Sequence, residues 1–158
     1  MRKKRKNMSR LVTKEGLEKL QNEFEDRTTK IRQEIANAIK EAKEQGDLSE
    51  NAEYSAAKER QSENEARISQ LEIMIKESQV VERDADDASA QIGSKVTVEA
   101  NGQEYVFEIV GSNEANPSER KISNESPIGK ALIGASEGDA VDVETPGGTV
   151  QYKVVSIG

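Results

Sequence analysis

Two acids three residues apart are the side chains of this sequence best placed to do chemistry. Asp47 and Glu50 lie in Gly46-Asp47-Leu48-Ser49-Glu50-Asn51, between two long stretches of helical pattern. Paired carboxylates are hard oxygen ligands and suit Mg²⁺, which takes one or two of them and keeps several waters. Two acids alone hold a metal weakly, so the set would be completed by a partner's metal centre. The same residues have a structural reading. Gly46 ends the first helix, Asp47 caps the second, and Glu50 closes a capping box. The two readings are compatible, because a cap also holds a carboxylate in place. The chain has no cysteine and no histidine, which excludes a Cys/His zinc site, a His-based triad and a redox thiol.

The elements that would carry these acids are legible from periodicity. There is no proline from Thr13 to Ser78, and good helix formers dominate. Thr13 is the expected N-cap, with Glu15 in the first turn. One apolar stripe runs Leu17, Leu20, Phe24, Thr28, Ile31, Ile35, Ala38, Ala42. Its steps of three and four form a heptad seam, with one extra step of four between Leu20 and Thr28. A second stripe runs Tyr54, Ala57, Gln61, Asn64, Ile68, Leu71, Ile75, Ser78 in strict alternation. Folded antiparallel, the stripes face one another from Leu17 against Ser78 to Ala42 against Tyr54, with Ile31 opposite Asn64. The fold-back falls between Asp47 and Leu48. This predicts a coiled-coil hairpin over 10–80 with its tip at 46–51, each arm ~45 Å long at ~1.5 Å rise per residue. Gln61 and Asn64 are polar seam positions that fix register, and Ala38, Ala42 and Ala57 keep the end near the tip slender.

Beyond residue 80 the pattern changes. Residues 81–92 are polar and acidic and read as a linker. From Gly93 the period becomes two. Strands are predicted over 95–99 and 104–110 around the turn signal Asn101-Gly102, and over 140–144 and 149–155 around Pro146-Gly147-Gly148. Between the pairs, Ser126 caps a short helix that opens at Pro127 and ends at Gly134. The fold class is therefore α+β: a helical hairpin, then an antiparallel sheet domain with one short helix over 93–158.

Composition agrees with a thin helical element plus a small module. Of the 158 residues 34% are hydrophobic, 34% charged and only 3% aromatic, and the net charge is −7. The charge is uneven. Residues 1–80 hold 17 Lys and Arg against 16 acids, and residues 81–158 hold 6 against 14. An acidic protein does not hold duplex nucleic acid through bulk electrostatics, so such contact needs a local patch or a protein partner. Arg2-Lys3-Lys4-Arg5-Lys6 is either such a patch or, as residues 1–9 read here, a solvated and disordered tail. No apolar run is long enough to span a membrane, and none follows the basic start as a secretory signal requires. The expectation is a cytoplasmic monomer without a membrane partner.

Two blocks carry a family resemblance. Gly46-Asp47-Leu48-Ser49-Glu50-Asn51-Ala52-Glu53-Tyr54, followed by Ala56-Ala57-Lys58, resembles the tip signature of the Gre transcript elongation factors. Ile122-Ser123-Asn124-Glu125-Ser126-Pro127-Ile128-Gly129-Lys130-Ala131-Leu132-Ile133-Gly134 resembles the C-terminal signature of that family, and the likeness over 10–158 is nearer the GreA type than the GreB type. The resemblance implies an FKBP-like C-terminal domain that docks at the rim of the secondary channel of RNA polymerase, and a coiled coil that enters the channel. It implies a factor that activates the polymerase's cleavage of backtracked RNA and is not an enzyme alone. By residue, Asp47 and Glu50 match the acids that help hold the second Mg²⁺ of the polymerase and orient the attacking water. Ser123, Glu125 and Pro127 match the docking segment. Lys58, Arg60 and Arg67 lie on one arm, either near the RNA 3′ segment or as a solvated face. Two positions depart from the family: Ser55 stands where histidine is common, and Glu125 where Asp or Asn is expected.

Three other functions fit parts of the pattern. A secondary-channel inhibitor would keep the docking domain but alter the tip, and both tip acids are present here. A peptidyl-prolyl isomerase would need an aromatic-lined pocket, and this half offers only Tyr105, Phe107 and Tyr152. A coiled-coil adaptor would explain the hairpin but neither signature.

Overall fold

The computed structural model describes residues 10–47 and 50–158. The basic run at 2–6, with its tail reading, lies outside the described residues. Two compact units form: Glu18–Glu77, and Ser78–Gly158 together with the described residues up to Leu17. No helix among the described residues is long and apolar enough to cross a membrane.

The helical unit is built from α1 (Lys14–Asp26), a π turn (Arg27–Ile31), α2 (Arg32–Glu44) and α3 (Ala52–Glu77). All positions of both predicted stripes are buried or half-buried. Leu71 is fully enclosed, and Ile35, Ala42, Ala57 and Ile68 are nearly so. Burial of one such leucine or isoleucine stabilises the hairpin by about 1.5–3 kcal/mol. Ties across the seam run antiparallel: Ala42 to Asn51, Arg32 to Glu65, Arg27 to Asn64 and Glu23 to Arg67.

The π turn begins at the end of the extra four-residue step of the first stripe, which closes at Thr28. A π turn holds more residues than an α turn, so it absorbs that step locally. Two threonines there bond back to carbonyls of the preceding turn. The Thr28 hydroxyl donates to the carbonyls of Phe24 (2.8 Å) and Glu25 (3.1 Å), and the Thr29 hydroxyl to Glu25 (2.7 Å). The shift in phase also moves the polar seam partner. Asn64 is buried, and its amide bonds Arg27, one turn back from the Ile31 that its seam position predicts. It accepts from Arg27 Nη1 and donates to the Arg27 carbonyl, both at 3.1 Å. Gln61, the other polar seam residue, has its carbonyl taken by Lys58 of the same helix.

In the second unit, β1 (Arg10–Val12) pairs in parallel with β2 (Ser78–Val80). The ends of the predicted 10–80 hairpin are thus strands, and Val12 is buried. Thr13 caps α1 as expected, accepting from the Gly16 amide at 3.0 Å. Glu114 reinforces the cap. Its carboxylate accepts from the Thr13 amide (3.0 Å), the Gly111 amide (3.2 Å) and the Thr13 hydroxyl, at the helix end where negative charge is favoured.

The main sheet contains β3 (Lys95–Ala100), β4 (Gln103–Val110), β5 (Lys121–Ser123), β6 (Ala140–Thr145) and β7 (Gly148–Ile157), in the order β5-β4-β3-β7-β6. The β3–β4 turn has φ of 52° at Asn101 and 77° at Gly102, the left-handed pair that a two-residue hairpin favours. The sheet is mixed, not antiparallel as predicted, because β5 pairs in parallel with β4. Three residues are too few to show a period, so sequence pattern does not reveal β5. The predicted 81–92 linker also needs correction: Ala90 and Ile92 are buried in the core with Val96, Val98, Ile109, Leu132, Ala135 and Val154. Two apolar residues among acids and polar side chains carry no periodic signal. The backbone there is tied to the core as well, with Ala90 donating to Ala135 at 2.8 Å and Gly93 to Ile109 at 2.7 Å. Leu132 belongs to α4 (Pro127–Leu132), the predicted short helix.

The Glu23 ion pairs make the hairpin sensitive to acid. Arg67 grips both carboxylate oxygens (2.9 and 3.0 Å) and Arg27 adds a third bond at 2.9 Å. The Arg67 hydrogen bonds, assisted by Arg27 and opposed by burial, lower the Glu23 pKa from 4.5 to about 2. A depressed carboxylate stabilises the fold fully above its unfolded value, and that stability is lost as pH falls through the folded value. Glu23 is one-third exposed, so solvent screening leaves on the order of 1–2 kcal/mol. Glu23→Gln is expected to lower helix stability by that amount at pH 7 in urea titrations followed by circular dichroism, with less than half of the gap left at pH 3. A gap unchanged between the two pH values would contradict this origin.

Candidate functional site

The tip of the hairpin is organised by Asn51. Helix α2 ends at Glu44, and Gly46 follows at φ +131°, a backbone that side-chain-bearing residues rarely adopt. Helix α3 begins at Ala52. The Asn51 Oδ1 accepts from the amides of Glu53 (3.0 Å) and Tyr54 (3.1 Å), which makes Asn51 the N-cap. Its Nδ2 donates to the Ala42 carbonyl of α2 at 2.8 Å. One side chain therefore satisfies orphan groups at the end of one helix and the start of the next. This corrects the capping alternative for the tip acids. The loop runs four residues further than a cap at Asp47 allows, so neither Asp47 nor Glu50 sits at the N-cap of α3 or three residues into it. Both are exposed. Asparagine just before Ala-Glu-Tyr is itself an N-cap signal, of the same rank as an aspartate.

The basic residues differ in how they are held. Lys58 Nζ donates to Gln61 Oε1 at 2.8 Å. Arg67 is committed to Glu23 by two bonds. Arg60 lines an open groove of α2 and α3 with Arg27, Ile31, Glu34, Ile35, Glu63, Asn64 and Arg67. The links from Glu23 to Arg67, Arg27 to Asn64 and Arg32 to Glu65 are not legible in the sequence, because each spans more than thirty residues.

In the second unit, Ser123 ends β5, Glu125 lies in the turn that follows, and Pro127 opens α4. Glu125 and Pro127 are exposed and Ser123 is half-buried. Ser126 caps α4 as predicted, its Oγ accepting from the Gly129 amide at 3.1 Å and donating to the Ser123 carbonyl at 2.7 Å. This turn is close-packed: a Cβ on Gly129 would lie 1.9 Å from the Ser123 carbonyl oxygen. Ser112, unmarked in the sequence, donates to Glu125 Oε2 at 2.5 Å. Tyr105 stacks on Phe107, which meets Tyr152 edge-on, and all three pack against the core.

A helical hairpin with two acids at its tip, followed by a sheet domain with a close-packed loop ahead of a short helix, is an architecture with known relatives. Residues 10–80 match the family described as transcription elongation factor, N-terminal, and residues 85–158 match transcription elongation factor, GreA/GreB, C-term. The chain is 47% identical over 151 residues to transcription elongation factor GreA of Lachnoclostridium phytofermentans, covering 93% of this chain and 94% of the relative. It is 43% identical to GreA of Thermomicrobium roseum, with 92% and 95% covered. Among solved structures, GreA factor homolog 1 of Thermus thermophilus is 31% identical, with 95% and 99% covered and a TM-score of 0.43. The chain belongs to the GreA/GreB family of transcription elongation factors.

The Asn51 side chain sets the tip geometry. Asn51→Ala is expected to raise hydrogen-exchange rates of the Glu53 and Tyr54 amides about five-fold, the equivalent of the ~1 kcal/mol typical of a lost cap. Asn51→Asp, which keeps the acceptor, is expected to retain most of the protection at both amides. Equal protection in wild type and Asn51→Ala would show that the cap contributes nothing.

Proposed function

We propose that this factor binds RNA polymerase through the secondary channel and stimulates the polymerase's own cleavage of backtracked RNA, releasing arrested complexes. The observation that supports this reading is the Asn51 cap. Asn51 fills the N-cap of α3 and bonds the last turn of α2, and Asp47 and Glu50 lie exposed at the end of the hairpin.

In this reading Asp47 and Glu50 present oxygen atoms to the weaker Mg²⁺ of the polymerase active site and orient the attacking water. Mg²⁺ held there would supply stabilisation of negative charge on the phosphodiester under attack. Among the described residues no group of three His, Cys, Asp or Glu is placed to hold a metal. An ion at the tip would take its other ligands from the polymerase and from water. The factor supplies ligands and position, and the polymerase remains the nuclease. Ser123, Glu125 and Pro127 form the docking loop at the channel rim. Lys58 and Arg60 lie nearest to the RNA 3′ segment, while Arg67 braces the arm through Glu23. The protein acts in the cytoplasm as a monomer.

The experiment is RNA cleavage in stalled, backtracked complexes of the matching polymerase. Wild type is expected to accelerate cleavage. The pair Asp47→Asn and Glu50→Gln is expected to lose at least about ten-fold of that acceleration while competing with wild type for polymerase. A double variant that binds and cleaves like wild type would overturn the role of the tip acids. A wild type that binds without accelerating cleavage would make the protein a channel inhibitor.

A further inference from the structure

We infer that Ser112 is a positioning residue for polymerase docking, holding the Glu125 carboxylate as a preset acceptor for a cationic side chain of the polymerase; this rests on the docking role proposed for Glu125.

Three hydrogen bonds form a closed ring. The Glu125 amide donates to Ser123 Oγ at 3.0 Å, the Ser123 hydroxyl donates to Ser112 Oγ at 3.2 Å, and the Ser112 hydroxyl donates to Glu125 Oε2 at 2.5 Å. Each hydroxyl accepts one proton and passes on its own, so all donors run in one direction around the ring. Ser112 lies in the loop after β4 and Glu125 in the turn after β5, so the ring also stitches two loops together. A glutamate on the surface ordinarily samples many rotamers, and ordering it on binding costs affinity. Here the ring orders it in advance and occupies Oε2. No hydrogen bond engages Oε1 among the described residues, and a carboxylate has acceptor sites to spare. Charge-assisted bonds from arginine or lysine are the strongest use of such an acceptor. The ring also accounts for a glutamate where the family resemblance leads one to expect Asp or Asn. The extra methylene folds back onto Ser112, so the longer side chain presents a fixed oxygen.

The test uses the full-length protein and the matching polymerase, with two readouts: competition binding to the polymerase, and cleavage rate against factor concentration. Ser112→Ala is expected to weaken binding and raise the half-saturating concentration about 3- to 10-fold, with the rate at saturation retained. Ser112→Thr, which keeps the hydroxyl, is expected to restore affinity. In a Glu125→Gln background, Ser112→Ala is expected to add little, because both changes break the same link. Wild-type affinity in Ser112→Ala, or penalties of the two changes that multiply, would overturn the inference. A loss of affinity in Ser112→Ala that Ser112→Thr does not restore would also overturn it. The binding readout judges Ser112 even if wild type fails to stimulate cleavage, which would instead count against the proposed function.

Discussion

Any hairpin that ends in a functional tip must turn the chain without spending the residues that do the chemistry. The last carbonyls of one helix and the first amides of the next both lack partners. If Asp47 and Glu50 supplied those partners, their oxygens would be turned inward on the backbone. In this protein a neutral amide does the work, because asparagine carries a donor and an acceptor on one short side chain. Asn51 donates to the Ala42 carbonyl and accepts from the Glu53 and Tyr54 amides. An aspartate there would keep the second function and lose the first. Asp47 and Glu50 are exposed beside it.

The arm behind the tip repeats the principle with charges. A slender two-helix seam buries little apolar surface, and the polar residues within it have to be satisfied. Asn64 is buried and pairs with both the side chain and the carbonyl of Arg27. Arg27 in turn shares Glu23 with Arg67. These side chains form one connected network beside the π turn, and no buried side-chain nitrogen or oxygen among the described residues lacks a partner. The network offers a reason for polar seam residues in a helix pair that gains little from each apolar contact: they admit one register and penalise others.

Most of the architecture was legible because it repeats. Two stripes of three and four steps foretold which residues of the hairpin would be covered, and alternation with Asn101-Gly102 foretold β3, β4 and their turn. Ser126 and Thr13 were readable as caps because a cap is a local event. What failed to show is non-local or too short to repeat. The three-residue strands Arg10–Val12, Ser78–Val80 and Lys121–Ser123 find partners far away in sequence or across a loop. Glu114 meets Thr13 across a hundred residues. Of the candidate site, the two acids and the segment from Ser123 to Pro127 are visible as motifs, whereas the bonds of Asn51 across the tip and of Ser112 to Glu125 are not. The tip shows why: capping preference alone ranks Asp47 with Asn51, and the choice depends on loop length, which periodicity does not encode.

The central claim is that the tip acids supply ligands to a metal the polymerase holds weakly. Its most direct test is a Mg²⁺ titration of transcript cleavage at saturating factor. The account predicts that wild type lowers the Mg²⁺ concentration for half-maximal cleavage relative to polymerase alone. The variant with Asp47→Asn and Glu50→Gln is predicted to leave that concentration where polymerase alone has it. Acceleration by wild type with an unchanged Mg²⁺ dependence would contradict it.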